Sequence, residues 1–192
     1  EALAREGWSG IVNGRTQIRV DAAVAKVAHA VGAGAKAVGV AADLGTAGGI
    51  AQTVARFPKV DILINNMGIF EPKAFEDIPD EDWFRFFEVN VLSGVRPSRH
   101  YLPRMRDAGW GRIIFISSES AVQIPAENIH YGITKTAQLA ISRELAETTA
   151  GTGVTVNAVM LGTTASEGIA GLVENKDANQ ATDSPTGERE DV

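Results

Sequence analysis

Short apolar segments alternate along the chain with longer segments of helical period. Five of the short segments have about the length of a buried strand and are apolar almost throughout: 9–13, 37–42, 60–65, 112–117 and 154–159. Strands that lack polar alternation are typical of a parallel sheet covered by helices on both faces. These five segments therefore predict the strands of such a sheet.

The longer segments predict helices near 17–31, 46–56, 80–107 and 127–150. In the third, apolar residues three or four positions apart form one face, made of Phe84, Phe87, Val91 and Val95. In the fourth, the same spacing gives a face of Ile133, Ala137, Ala140, Ile141 and Leu145. Strands and helices in this order predict an α/β fold with a doubly wound parallel sheet, a single layer of strands between helices.

Charge and composition divide the chain unequally. Residues 174–192 hold six acidic and two basic residues and show no apolar period, whereas the remainder carries only −2 of the net charge of −6. We expect one domain over residues 1–173 and a disordered acidic tail over 174–192. Neither part has the basic stripe that a nucleic-acid partner would require.

Several other classes of protein and site receive no support from the composition. No apolar run is long enough to span a membrane, and the three histidines lack metal-ligand spacing, so we expect neither a membrane segment nor a metal site. The chain contains no cysteine and does not open on a secretory leader, which fits a cytoplasmic protein.

Tyr131 and Lys135 form the first candidate for chemistry. Positions i and i+4 share a helix face, so the lysine ammonium is expected near the tyrosine phenol. A nearby positive charge favours the phenolate and lowers the pKa of a tyrosine, which suits the phenol to exchange a proton with an alcohol or ketone. The alternative is a partly exposed tyrosine beside a solvated lysine on a surface helix.

Three further polar features are candidates for the same site. Ser118 follows the predicted strand 112–117 and could hydrogen-bond a reacting oxygen, or simply cap a helix. The turn Asn65-Asn66-Met67-Gly68 follows another strand, where small residues let a ligand approach the backbone, although a plain turn would look the same. Asn90 lies in an apolar helix, where a polar side chain needs a partner. It could equally be a hydrogen-bonded core amide or a point of helix distortion.

These features, in this order and spacing, resemble the short-chain dehydrogenase/reductase family over about residues 1–173. The turn Asn65-Asn66-Met67-Gly68 corresponds to the family's Asn-Asn-Ala-Gly, and the Tyr131–Lys135 spacing to its catalytic pair. The resemblance implies a Rossmann-type domain and an oxidoreductase that moves a hydride between NAD(P) and a small alcohol or carbonyl substrate. It also implies a homo-oligomer, a dimer or tetramer, built on the helices 80–107 and 127–150.

The same resemblance implies a role for each site residue. Tyr131 is expected to be the catalytic acid/base, Lys135 to lower its pKa and bind the nicotinamide ribose, Ser118 to orient the substrate oxygen and Asn90 to hold a relay water. Asp43 is expected to contact the adenine ring. The complete expected cofactor-binding set is Asn13, Arg15, Asp43, Leu44, Asn65, Met67, Gly68, Tyr131, Lys135 and Gly162.

Charge near the end of the first predicted strand bears on the choice of cofactor. NAD-preferring relatives carry an acid at this point, which repels a 2′-phosphate. This chain has Val12-Asn13-Gly14-Arg15 and no acid, and an arginine can clamp a phosphate through two hydrogen bonds. We therefore expect NADP to be preferred with NAD possible, unless Arg15 is only a solvated loop charge.

The family's Gly-rich phosphate loop is missing from the sequence, and its usual Pro-Gly turn is replaced by Leu161-Gly162. Gly32-Ala33-Gly34-Ala35-Lys36 does not qualify as the loop because it follows a helix and precedes a strand. We expect a chain truncated at both ends relative to the family. Two alternatives to an active enzyme stay open: a binding module that has lost catalysis, and an inert fragment.

Overall fold

The computed structural model describes residues 1–32, 34 and 36–162, and within these residues strands and helices alternate. The strands are β1 Gly10–Gly14, β2 Ala37–Ala41, β3 Ile62–Asn65, β4 Gly111–Ser118 and β5 Val154–Leu161. The helices are α1 Ala2–Arg5, α2 Gln17–Val31, α3 Ala47–Arg56, α4 Asp80–Phe87, α5 Ser93–Asp107 and α6 Ile129–Thr148. The predicted α/β order is confirmed, with each predicted strand end within two residues of the observed one.

The strands form two hydrogen-bonded groups within the described residues. β1 pairs with β2 in parallel, with Ile11 opposite Val38, while the second group has the order β3-β4-β5. β3 runs parallel to β4, with Ile64 opposite Ile114. The parallel arrangement places the carboxyl ends of β3 and β4 at one edge, where ligands bind in open α/β sheets.

The main core lies between α5 and the second group of strands. Tyr101, Leu102 and Met105 of α5 are buried against Ile113 and Phe115 of β4, and Val154 and Val156 of β5 complete the cluster. Helix and strand approach closely at Gly94, where a Cβ atom would stand 2.8 Å from the Phe115 ring. Any larger residue at position 94 would push α5 away from the strand that ends in Ser118.

Among the described residues, the two faces of the first pair of strands are covered to different extents. Val20 of α2 packs on the glycine side of the pair, against Gly14 and Gly39. Ile11 and Val38 are exposed, and they point to the opposite face because side chains alternate along a strand. Apolar sequence alone did not reveal which face is covered.

The predicted helix 80–107 is divided by a π-helical turn, Glu88–Leu92, between α4 and α5. A π turn adds a residue to a helical turn, so the residues before it are rotated relative to those after it. The single apolar face expected across the segment is therefore wrong: Phe84 is 75% exposed, Phe87 is exposed, and Val91 is buried. Phe86 is the α4 residue that enters the core.

The predicted apolar face of α6 is also wrong in part. Ile133 is 43% exposed and Ala140 is exposed, although Ile141 and Leu145 pack at the edge of the core. The buried positions of this helix are His130, Gly132, Thr134, Lys135, Gln138 and Ser142. Buried polar groups need partners inside the protein. Thr134, Lys135 and Gln138 find them in the contacts that form the candidate site, whereas the two ring nitrogens of His130 have no hydrogen-bond partner among the described residues.

Candidate active site

Helix α6 is fastened to the carboxyl end of β4 by two hydrogen bonds. The Ser117 hydroxyl donates to the backbone carbonyl of Lys135 at 2.9 Å, and the Lys135 ammonium donates to the carbonyl of Ile116 at 2.8 Å. Both contacts join residues far apart in sequence, so the position of Lys135 depends on tertiary packing. They bring the Tyr131–Lys135 segment to the strand end that carries Ser118.

Tyr131 and Lys135 lie together as their spacing predicts, but not as a solvated surface pair. The Lys135 side chain is almost fully buried, with its Nζ 5.5 Å from the centre of the Tyr131 ring. Burial lowers the pKa of Lys135 from 10.5 to about 8, because the charged form loses its hydration. The lysine is therefore still mostly an ammonium at neutral pH.

Ser118 lies next to Tyr131 and also caps a short helical turn. Its hydroxyl accepts a hydrogen bond from the Ser120 amide at 3.2 Å, which is the capping role considered as the alternative. Burial raises the pKa of Tyr131 above 10, and the neighbouring Ser118 side chain acts in the opposite direction. The expected lowering by Lys135 is not seen in this structure, where the ammonium lies over the ring and donates to other partners.

The side chain of Asn90 is completely buried in the π turn and fully hydrogen-bonded. Its Oδ1 accepts from the Ile69 amide at 2.7 Å, while its Nδ2 donates to the Ile69 carbonyl and to the Thr134 hydroxyl. Asn90 is thus both a satisfied core amide and part of a helix distortion. It joins the loop after β3 to α6, which fixes that loop beside Lys135.

The turn after β3 contributes backbone more than side chains. Asn65 is buried and donates to the Ser98 hydroxyl of α5 at 3.2 Å, so its amide faces the protein interior. Gly68 lies beside the catalytic candidates: a Cβ atom there would be 3.5 Å from Asn90 Oδ1 and 3.6 Å from Lys135 Nζ. A larger side chain at position 68 would extend into the space next to the lysine.

A second group of predicted residues lies at the carboxyl ends of β1 and β2. Asn13 donates to the carbonyls of Val40 and Ala42 at 3.1 and 3.0 Å, which ties the two strand ends together. Asp43 accepts from the Gly45 amide at 2.9 Å and shapes the turn that leads through Leu44 into α3. Arg15 is exposed, and none of the acidic residues in the described part forms an ion pair with it.

Met67 lies between these two groups of residues. A Cβ atom at Gly45 would meet the Met67 methyl at 3.6 Å and the Asp43 carboxylate at 3.1 Å, which places all three side by side. Gly162 directly follows β5 at its carboxyl end. Apart from Gly162 and from Tyr131 and Lys135 on α6, the residues expected to bind a cofactor thus lie just beyond or at the carboxyl ends of β1, β2 and β3.

Several residues of the site escaped the sequence analysis. Thr134 and Gln138 both belong to the hydrogen-bond network on the buried side of α6. Phe70 stands edge-on to the Tyr131 ring, with the ring centres 5.1 Å apart. The available signal was the helical spacing of polar residues at 131, 134, 135 and 138, which lies on the face that apolar periodicity had assigned to solvent.

The described residues contain neither a metal-binding cluster nor a membrane-spanning helix. No group of three or more potential ligand side chains (His, Cys, Asp or Glu) is placed to hold a metal ion. No helix in that part of the chain is both long and apolar enough to cross a membrane. The predicted tail 174–192 lies outside the described residues.

Comparison with known proteins agrees with this architecture. The family model described as short chain dehydrogenase matches residues 1–177. The uncharacterized oxidoreductase YvaG of Bacillus subtilis is 50% identical over 170 residues, which cover 88% of this chain and 63% of that protein. D-beta-hydroxybutyrate dehydrogenase of Cupriavidus necator is 36% identical over 84% of this chain and 63% of its own length.

A solved structure shows the same fold. L-Sorbose reductase from Gluconobacter frateurii, complexed with NADPH and L-sorbose, superposes with a TM-score of 0.85 at 26% identity, covering 95% of this chain and 70% of that one. The fold is therefore that of the Rossmann-like α/β proteins. The chain belongs to the short-chain dehydrogenase family, and it spans about 63% of the length of the two relatives described above.

Proposed function

We propose that the protein is an NAD(P)-dependent oxidoreductase that interconverts a small-molecule alcohol and the corresponding carbonyl compound. The observation that carries this proposal is the convergence of Tyr131, Ser118 and Lys135 at one strand end, with Asn90 holding the adjacent loop. Dehydrogenases and reductases among the relatives support the same class of reaction.

The proposed proton transfer takes place at the Tyr131 hydroxyl. During carbonyl reduction, Tyr131 gives its proton to the substrate oxygen while Ser118 holds that oxygen by a hydrogen bond. During alcohol oxidation the same phenol must take up the proton, which requires its pKa to fall from the raised value of the buried side chain. Lys135 supplies the positive charge for that shift at any pH at which it stays protonated.

The residues at the strand ends fit a nicotinamide dinucleotide. When bound, such a cofactor supplies or accepts the hydride. We propose that Asn13, Arg15, Asp43 and Leu44 contact the adenosine half, together with the turn Asn65–Gly68. Arg15 supports a preference for NADP over NAD because it is exposed, unpaired within the described residues and not accompanied by an acid at the end of β1.

Self-association is part of the proposal. Trp83, Phe84, Phe87 and Leu92 line an open apolar groove along α4 and the π turn, with Arg85 and Glu88 at its sides. Exposed aromatic clusters of this kind are typical of protein interfaces. We propose a homo-oligomer that covers this surface, and a cytoplasmic location on the basis of the cysteine-free sequence.

The function is tested by replacing Tyr131 with phenylalanine in the protein and measuring turnover of a panel of carbonyl compounds and alcohols with NADPH, NADH and their oxidised forms. Losing the proton donor should lower turnover by about 10²- to 10⁴-fold while cofactor binding, followed by fluorescence, is retained. Tyr101→Phe is the matched control, because the Tyr101 hydroxyl donates to the Phe57 carbonyl, far along the chain from the site.

Equal turnover by wild type and Tyr131→Phe would reject the proposed mechanism. If neither form turns over any substrate but both bind the cofactor, a binding module is the better description. Loss of turnover in the Tyr101→Phe control as well would show that the phenylalanine variants fail through folding rather than chemistry.

A further inference from the structure

Gln138 is a buried polar residue that takes no direct part in the proposed reaction. Its side chain is 1% exposed, and it lies on α6 three residues beyond Lys135, on the same face of the helix. A primary amide is costly to bury unless its donors and acceptor find partners. At Gln138 these partners belong to the candidate active site itself.

The amide group of Gln138 joins two parts of the site. Its Nε2 donates to the backbone carbonyl of Asn90 in the π turn at 2.6 Å. Its Oε1 accepts from the Lys135 ammonium at 3.3 Å. The donor and the acceptor of a glutamine belong to one planar amide group. The direction of one of these two bonds therefore fixes the direction of the other.

Lys135 depends on a small number of neutral acceptors. They are the Ile116 carbonyl and the Gln138 amide oxygen, and none of the acidic residues in the described part pairs with the ammonium. A titratable group at its side is Tyr131, whose ring lies under the ammonium. Hydrogen bonds to the charged form are therefore what opposes the cost of burying this lysine.

We propose that Gln138 is a positioning residue for the reaction: it holds the Lys135 ammonium in place and ties it to the π turn at Asn90. This inference rests on the proposed function, because it concerns the effect of Lys135 on the proton exchange at Tyr131. Gln138 touches neither substrate nor hydride, and it acts through the lysine.

The test follows the titration of Lys135 directly, in the protein without added ligand. Lysines labelled with ¹³C at the ε carbon are observed by NMR across the pH range, and the signal missing in Lys135→Met identifies Lys135 among the six lysines. Gln138→Leu removes the acceptor at nearly constant volume. The titration midpoint of Lys135 should then move down by about one pH unit, as expected for the loss of one hydrogen bond to an ammonium.

Two further variants test whether the shift of the Lys135 midpoint comes from the acceptor at position 138: Gln138→Glu and, as a control, Ser142→Ala. A carboxylate at position 138 still accepts from the ammonium and adds a negative charge, so the midpoint should move up instead of down. Ser142 is buried one turn further along α6, and its hydroxyl donates only to the nearby Leu139 carbonyl among the described residues. Ser142→Ala should leave the Lys135 midpoint unchanged.

An unchanged midpoint in Gln138→Leu, in a variant that unfolds cooperatively, would overturn the proposal and leave Gln138 as a packing residue. Turnover at pH 7 should also fall about tenfold in Gln138→Leu with little change in KM. The two measurements separate the role of Gln138 from the proposed function. The Lys135 midpoint can shift as expected even if the wild type shows no oxidoreductase activity.

Discussion

Lys135 illustrates at the scale of one residue how the site trades stability for chemistry. The lysine is held inside the protein with a pKa of about 8, against 10.5 for the free side chain. At neutral pH it is charged in both the folded and the unfolded protein, so folding must bury a charge. That cost is tolerated at a position where, in the proposed mechanism, the ammonium acts on Tyr131.

Replacing Lys135 with methionine should therefore stabilise the protein at pH 7 while lowering turnover at least 100-fold. A pKa lowered on folding from 10.5 to about 8 sets an upper limit of about 3 kcal/mol on the gain in the free energy of unfolding. The carbonyl of Ile116 and the amide oxygen of Gln138 lose their donor in the variant, which reduces the gain to about 1–2 kcal/mol.

The pH dependence of this gain follows from the direction of the shift. Between pH 8 and 10.5 the folded wild-type protein has released the proton while the unfolded chain still holds it, so the stability of the wild type rises with pH through this window. The difference between variant and wild type should shrink accordingly. Urea unfolding at pH 7 and pH 10 measures it, and a methionine variant that is less stable at pH 7 would contradict the argument.

At the scale of the element, the turn between β1 and α2 determines the expected cofactor preference. β1 ends at Gly14 and α2 begins at Gln17, which leaves Arg15 exposed at the carboxyl end of the strand. A helix or strand position would have fixed the direction of its side chain more tightly. In the turn, the guanidinium is free to reach a phosphate group.

Arg15→Ala should weaken NADPH binding about tenfold or more and leave NADH binding nearly unchanged, because only NADPH carries the 2′-phosphate. Fluorescence titration with each dinucleotide measures the effect. Arg143→Ala on α6 serves as a control for the loss of one positive charge, since Arg143 is an exposed arginine paired with Glu147 at 2.9 Å. Equal weakening of NADPH and NADH would show that Arg15 does not recognise the 2′-phosphate.

At the scale of the whole molecule, the exposed aromatic residues of α4 bear on assembly. The π turn rotates Phe84 and Phe87 away from the core and places them on the surface. Phe84→Asp should convert the proposed oligomer to monomers, because a charge would be buried in the interface. Sedimentation velocity measures the change, with Ile18→Asp on α2 as a control at an equally exposed apolar residue. A monomeric wild-type protein would refute the proposed assembly.

Prediction from the sequence succeeded where the physical cause is local. The strands were found from short apolar runs, and the proximity of Tyr131 and Lys135 follows from the helix period alone. The candidate site was only partly accessible. Gln138 and Thr134 were missed because their importance depends on which side of α6 is buried, and that is decided by β4 and the π turn.

The sequence by itself determined the α/β order, the family resemblance and the spacing of the catalytic candidates, since each of these depends on neighbouring residues or on short motifs. The tertiary structure decided which faces are covered, where the helix 80–107 changes its turn, and how Lys135 is held. It did so because burial and hydrogen bonding between distant residues, such as Gln138 with Asn90, arise only when the elements pack. Lys135 and Gln138 of α6 face inward because β4 and the π turn offer them hydrogen-bond acceptors. An apolar side chain such as Ile133 cannot use these acceptors and faces solvent instead.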